Sequence, residues 1–100
     1  MDHRGNCHVD PVVKVVGLEE QARAKTSVLR VIGMGCPTCA TRVRNSLLSR
    51  PGVVQVQIDL FTGLTLVDYD AERIGPSNLI GAVAAAGRDG RHVYLASLLD

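Results

Sequence analysis

The chain has no tryptophan, one phenylalanine and two tyrosines, so aromatic residues make up only 3% of its 100 residues. That is too few to build the stacking platforms that hold single-stranded nucleic acids. A charge excess is missing as well. Eleven Lys and Arg against ten Asp and Glu leave a formal net charge of +1, and the basic residues are spread out, so no phosphate-binding patch is indicated. No apolar run approaches the roughly 20 residues that a membrane-spanning helix needs. Met1-Asp2-His3-Arg4-Gly5-Asn6 offers neither the apolar stretch nor the cleavage site of a secretory signal. The expectation is a cytoplasmic protein, or a cytoplasmic piece of something larger, with no direct membrane insertion and no nucleic-acid partner. Three cysteines cannot close a disulfide framework, and in a reducing compartment a C-x-x-C pair more often serves metal or redox chemistry than a structural bridge.

What is present is an ordinary globular balance, 46% apolar and 21% charged, enough for one domain with a modest core. The most informative stretch is Met34-Gly35-Cys36-Pro37-Thr38-Cys39. It falls where a strand gives way to a helix, so two sulfurs share one small loop. The unpaired N–H groups and positive dipole end of the following helix favour thiolate there. Two neighbouring thiolates suit gripping a soft metal ion or cycling between dithiol and disulfide.

The hydrophobic pattern sets the frame. Residues 1–25 read as an extension, with a short apolar run at Val12-Val13-Lys14-Val15-Val16 that suits one strand, then a helix-prone stretch of little apolar face. Thr26 to Gly33 alternates as a half-buried strand, with Leu29 and Val31 on one face. Pro37 to Arg50 is helical, with Ala40, Val43, Leu47 and Leu48 as its stripe, and Pro51-Gly52 ends it. Val53 to Leu60 forms a second strand, Val54, Val56 and Ile58 facing inward. Phe61-Thr62-Gly63 makes a hairpin turn into a third strand, Leu64 to Tyr69. Gly75-Pro76 opens a second helix with Leu79, Ile80, Val83 and Ala86 buried. Gly87 suits a left-handed cap, Arg91 to Leu95 is a last short strand, and 96–100 a tail. Strand, helix, strand, strand, helix, strand, with right-handed crossovers, interleaves into a four-stranded antiparallel sheet with both helices on one face. This is an α+β, ferredoxin-like βαββαβ sandwich. The cysteine loop and the loop at Gly87-Arg88 fall at the same end.

Gly33-Met34-Gly35-Cys36-Pro37-Thr38-Cys39 resembles the G-M-x-C-x-x-C signature of heavy-metal-associated domains, the soft-metal chaperones and N-terminal metal-binding domains of P-type transport ATPases. The likeness runs over about 26–95, including Val43, Leu47, Pro51-Gly52-Val53, Asp70, Leu79-Ile80 and Ala86-Gly87. It implies the same fold and a module that carries Cu(I), passing it to a copper-transporting P-type ATPase or its other domains rather than catalysing a reaction. Cys36 and Cys39 are then the metal ligands. Two sulfurs alone satisfy ions content with near-linear coordination: Cu(I), Ag(I) or Hg(II). Structural zinc and iron–sulfur clusters usually take four ligands. Gly35 stands where zinc-handling relatives often carry an acidic residue, which favours Cu(I) over Zn(II). Met34 is expected to pack beneath the loop. Arg88 stands where the family carries Lys, Tyr or Phe near the metal, and there it would offset the charge of the loaded site. Cys7 and His8, with His3 close by, are candidate auxiliary ligands, while His92 reads as a surface residue. Arg42, Arg44 and Arg50 give the first helix a basic face suited to steering an acidic partner. A monomer or a metal-bridged dimer is expected. Two readings compete: Hg(II) or Zn(II) handling on the same fold, and a thiol–disulfide oxidoreductase, because Cys-Pro-Thr-Cys resembles a glutaredoxin active site. Against the second, Pro76, the proline at the distance where thioredoxin-like folds need a cis-proline before a strand, begins a helix.

Overall fold

The computed structural model describes residues 9–87 and 92–99. Cys7, His8 and Arg88 lie outside the described residues. The element order is α1 (Leu18–Arg23), β1 (Lys25–Ile32), α2 (Pro37–Leu48), β2 (Val53–Ile58), β3 (Leu64–Tyr69), α3 (Pro76–Ala85) and β4 (Leu95–Leu98). The strands form one sheet in the order β2-β3-β1-β4, with antiparallel pairing throughout. Alternation decides which side is covered. Ser27, Leu29 and Val31 of β1 and Thr65, Val67 and Tyr69 of β3 are buried together against Val43, Leu47 and Leu48 of α2 and Leu79, Ala82 and Val83 of α3. Ala82, at three residues from Leu79 and one from Val83, completes the stripe of α3 in place of the half-buried Ile80.

Three local expectations are revised. Val53, not Val54, is the fully buried start of β2, because the register slips between Val53 and Gln55. A bulge inserts one residue there and shifts the phase of the alternation. Gly87 is not among the glycines of positive φ, which in the described chain are Gly33, Gly52 and Gly63. It is small because a Cβ there would run into the His92 carbonyl. The last strand is Leu95–Leu98 rather than 91–95, pairing Ile32 with Leu95 and Leu29 with Leu98. Val93 and Tyr94 instead turn in beside Gly33, and Tyr94 enters the core.

Residues 9–24 form no strand but lie docked as a strap. The Val12 N–H donates to Asn45 Oδ1 at 2.8 Å, Asn45 Nδ2 donates to the Asp10 carbonyl at 2.8 Å, and Arg44 donates to the Val12 carbonyl at 3.1 Å. Lys14 donates to the Arg50 carbonyl just past α2 and to the Val53 carbonyl at the start of β2, where burial lowers its pKa and Glu20 partly opposes that shift. Beyond it, Glu20 pairs with Arg73 at 2.7 Å and Arg23 with Asp70 at 2.8 Å. Asp70 is buried and also receives the Glu72 N–H, so its carboxylate orders the turn after β3. The Arg23 guanidinium, and next the Glu72 N–H, hold its carboxyl below the usual carboxylate range.

That shift fixes the sign of an acid dependence. A depressed native pKa contributes stability above the unfolded carboxylate value of about 3.9 and loses it as pH falls through the lower native value. Arg23→Ala is therefore expected to lower the urea midpoint at neutral pH and to flatten the loss of stability below pH about 4. Parallel acid-limb slopes in the two proteins would contradict this role for Asp70.

Candidate metal centre

Gly33 makes the site loop possible. Its φ of 108° is in the left-handed region, and any side chain would strike the Val93 carbonyl of the neighbouring strand entry. From there Met34 drops back, half-buried and packed on the core. Cys36 occupies the N-cap position of α2 in extended backbone, with Pro37 at the first helical position, where a missing N–H costs nothing. The carbonyl of Cys36 accepts from the N–H groups of Cys39 and Ala40, locking the first turn.

This start of α2 separates two chemically similar sulfurs into different environments. Cys36 is exposed, whereas Cys39 is only 3% exposed and belongs to the core cluster. Their Sγ atoms are 3.2 Å apart, close enough to share a proton, and both are free thiols. Burial pushes the Cys39 thiol up, but the nearby Tyr94 hydroxyl, the Cys36 thiol and the N–H groups of Gly35 and Cys36 outweigh it. Together they bring its pKa from 9.0 down to about 7. A thiolate is thus available at neutral pH inside the fold. Among the described residues no cluster of three or more His, Cys, Asp or Glu side chains is placed to hold a metal. The candidate site among the described residues is this sulfur pair, with Cys36 on its exposed side.

The remaining candidates sort by position. Met34 and the cysteine pair come together, while Cys7, His8 and Arg88 fall outside the described residues. His92, read as a surface residue, is half-buried and stacked on Tyr94, with ring centroids 5.8 Å apart and planes 6° from parallel. Arg44, expected on a solvated basic face, is half-buried and engaged with the Val12 carbonyl. Tyr94 is the site residue that sequence reasoning missed. The one signal was its rarity, an aromatic in a short terminal segment of an aromatic-poor chain.

A buried cysteine beside an exposed one, at a helix N-terminus on a split βαβ scaffold, makes a candidate soft-metal site. The comparisons give the class. The heavy-metal-associated domain model matches residues 28–89, and the chain belongs to that family. The copper chaperone CopZ of Staphylococcus haemolyticus is 32% identical over 62 residues, covering 62% of this chain and 91% of that protein. The copper-transporting ATPase RAN1 of Arabidopsis thaliana is 33% identical over 73 residues, 72% of this chain and 7% of the ATPase. A zinc-transporting ATPase of Synechocystis is 27% identical over 70 residues, 70% of this chain and 10% of the ATPase. The chain thus spans a tenth or less of these transporters and nearly the whole of CopZ. Among solved structures, the N-terminal domain of PacS from Synechocystis superposes with a TM-score of 0.65 at 30% identity, over 77% of this chain and all of that one.

Titrating thiolate absorbance in the reduced, metal-free protein tests the electrostatics. Cys39 should show its inflection near pH 7. Tyr94→Phe should move that inflection up by on the order of one unit, the effect of losing one hydrogen bond to a charged sulfur. An unmoved inflection would remove Tyr94 from the site.

Proposed function

We propose that this domain binds Cu(I) through Cys36 and Cys39 and hands it to a partner domain by stepwise thiolate exchange. The observation that carries the reading is the asymmetry of the pair, one sulfur fixed in the core and its neighbour exposed on the loop. With metal–sulfur bonds of about 2.3 Å, sulfurs at the present separation would subtend only about 90° at a shared ion, and a straight S–M–S unit needs about 4.6 Å. Binding therefore requires the pair to open by more than 1 Å, and Cys36 is the side free to move. An ion held by two sulfurs leaves its flank open. An incoming thiolate adds there, Cys36 leaves, and a second incoming thiolate displaces Cys39, so the metal changes owner without being released as a free ion.

Gly35 supports Cu(I) over Zn(II), because it provides no carboxylate beside the thiolates. The relatives named above include carriers of both metals, with the copper chaperone matched over most of its own length. The partner that fits is another domain bearing an exposed thiolate pair, such as the cytoplasmic metal-binding domain of a copper-transporting P-type ATPase. That places the exchange in the cytoplasm. No helix of the described residues is long and apolar enough to cross a membrane. We read the site as one of binding and transfer, not catalysis.

Anaerobic titration decides the reading. One Cu(I) per chain should bind tightly enough to compete with a chromophoric Cu(I) chelator. Cys36→Ser and Cys39→Ser should each weaken binding well beyond the roughly 10- to 100-fold that loss of a mere supporting contact costs a metal site. Preference for Zn(II) over Cu(I) in direct competition would overturn the metal assignment. Efficient metal-independent thiol–disulfide exchange, with affinity unchanged in the serine variants, would overturn the function.

A further inference from the structure

The sheet has two faces, and α2 and α3 cover one of them. On the other, the antiparallel register fixes which side chains stand together, because partners across a ladder point to the same side. Arg30 pairs with Leu64, and the Asp59 N–H donates to the Leu64 carbonyl at 2.9 Å. Asp59, Leu64 and Arg30 therefore form one row across the sheet. Gln57, Leu66 and Val28 form the next row, and toward the cysteine end Ile32 pairs with Leu95. Ile32, Leu66 and Leu95 are exposed, Val28 and Leu64 half-buried. The result is an apolar centre along β3 that the described residues leave open. It is bounded at the far end, where Asp68 accepts from the Thr26 hydroxyl and Gln21 of α1 approaches.

At the near end the turn between β2 and β3 holds Phe61 fully exposed. The turn is not loose. The Phe61 N–H donates to Asp59 Oδ1 at 3.0 Å, the Gly63 N–H to the Asp59 carbonyl at 2.8 Å, and the Val31 N–H to the Gly63 carbonyl at 2.8 Å. An aromatic ring held fixed in water loses little freedom on contact. Beside it a groove of ≈ 260 Å³ runs between Phe61, Leu60 and Ile32. A second, of ≈ 330 Å³, lies between Val28, Leu66 and Gln57. Arg30 and Asp59, both exposed and of opposite sign, flank Leu64 on neighbouring strands, about 10 Å apart across two strand spacings.

We propose that this face binds a second copy of the chain, sheet against sheet, about a two-fold axis parallel to β3. Such an axis lays Leu64 and Leu66 of one copy on the same residues of the other. It also exchanges the flanking strands, so β2 of each copy lies over β1 of the other. Asp59 then meets Arg30 of the second copy, and Phe61 falls over the groove beside its Ile32, each contact made twice. An apolar stripe alone would suit many partners. Opposite charges set on either side of it suit its own copy. A formal net charge of +1 leaves little long-range repulsion between copies. Packed sheets cross at about 30°, so they diverge away from the contact row and keep the two Asp68 side chains apart. Because the axis follows the strands, both cysteine loops emerge at the same end of the pair, while α2 and its strap face outward. The pairing needs no metal and stands independently of the Cu(I) reading.

Sedimentation of the full chain, reduced and metal-free, should show a monomer–dimer equilibrium with a dissociation constant below about 1 mM. Phe61→Ser, Leu66→Asp and Arg30→Glu change exposed side chains, so circular dichroism and melting should be preserved. Each should weaken the dimer by at least roughly tenfold. A monomer at every concentration would overturn the proposal, whether footprinting then finds Phe61 and Leu66 shielded by the chain's own termini or open to another protein. So would a dimer indifferent to the three substitutions, or one that forms only with Cu(I) and is lost in Cys36→Ser.

Discussion

Cys39 is held by the hydrophobic core of the domain while Cys36, three residues earlier, is left outside it. That constraint comes from where β1 hands over to α2. Gly33 passes under the Val93 carbonyl, Met34 fills the space beneath the loop, and the first turn of α2 starts with its N-cap cysteine in extended backbone. Moving the helix start by one residue would rotate the second sulfur by about 100°, out of the core and away from Tyr94.

The fixed sulfur carries an electrostatic tension that the fold resolves in favour of charge. An apolar surrounding alone would keep a thiol protonated and inert. Here the Tyr94 hydroxyl, the neighbouring thiol and two loop N–H groups supply enough donors to bring the pKa of Cys39 to about 7. Burial without those donors would make a structural cysteine. Donors without burial would make a thiolate free to move with its partner. Together they give an anchored sulfur that ionises near neutral pH, which suits the ligand role proposed for it.

Much of this was legible in the sequence because strong local signals agreed with one another. The strand-to-helix position of Cys36-Pro37-Thr38-Cys39, Pro at the first turn of both long helices and the Pro51-Gly52 stop all coincide with elements of the fold. What failed depended on non-local contacts. Arg91 to Leu95 alternates well enough to read as a strand, but pairing with β1 begins only at Leu95, because Tyr94 is drawn into the core toward Cys39. The phase shift at Val53 comes from pairing with β3, which periodicity along one strand does not reveal. The strap was hidden for a similar reason. Its polar side chains carry no periodic signature, yet Lys14, Glu20 and Arg23 each find a partner more than thirty residues away. Arg44, read as solvated surface, serves the same contact.

The division of labour between the two sulfurs is tested most directly by comparing atomic structures of the reduced apo and Cu(I)-loaded chain. The account predicts that the Sγ–Sγ separation of 3.2 Å widens past about 4 Å by displacement of Cys36 and its loop, with Cys39 still packed in the core and in contact with Tyr94. A loaded structure in which Cys39 is drawn out of the core, or in which the pair does not open, would contradict it.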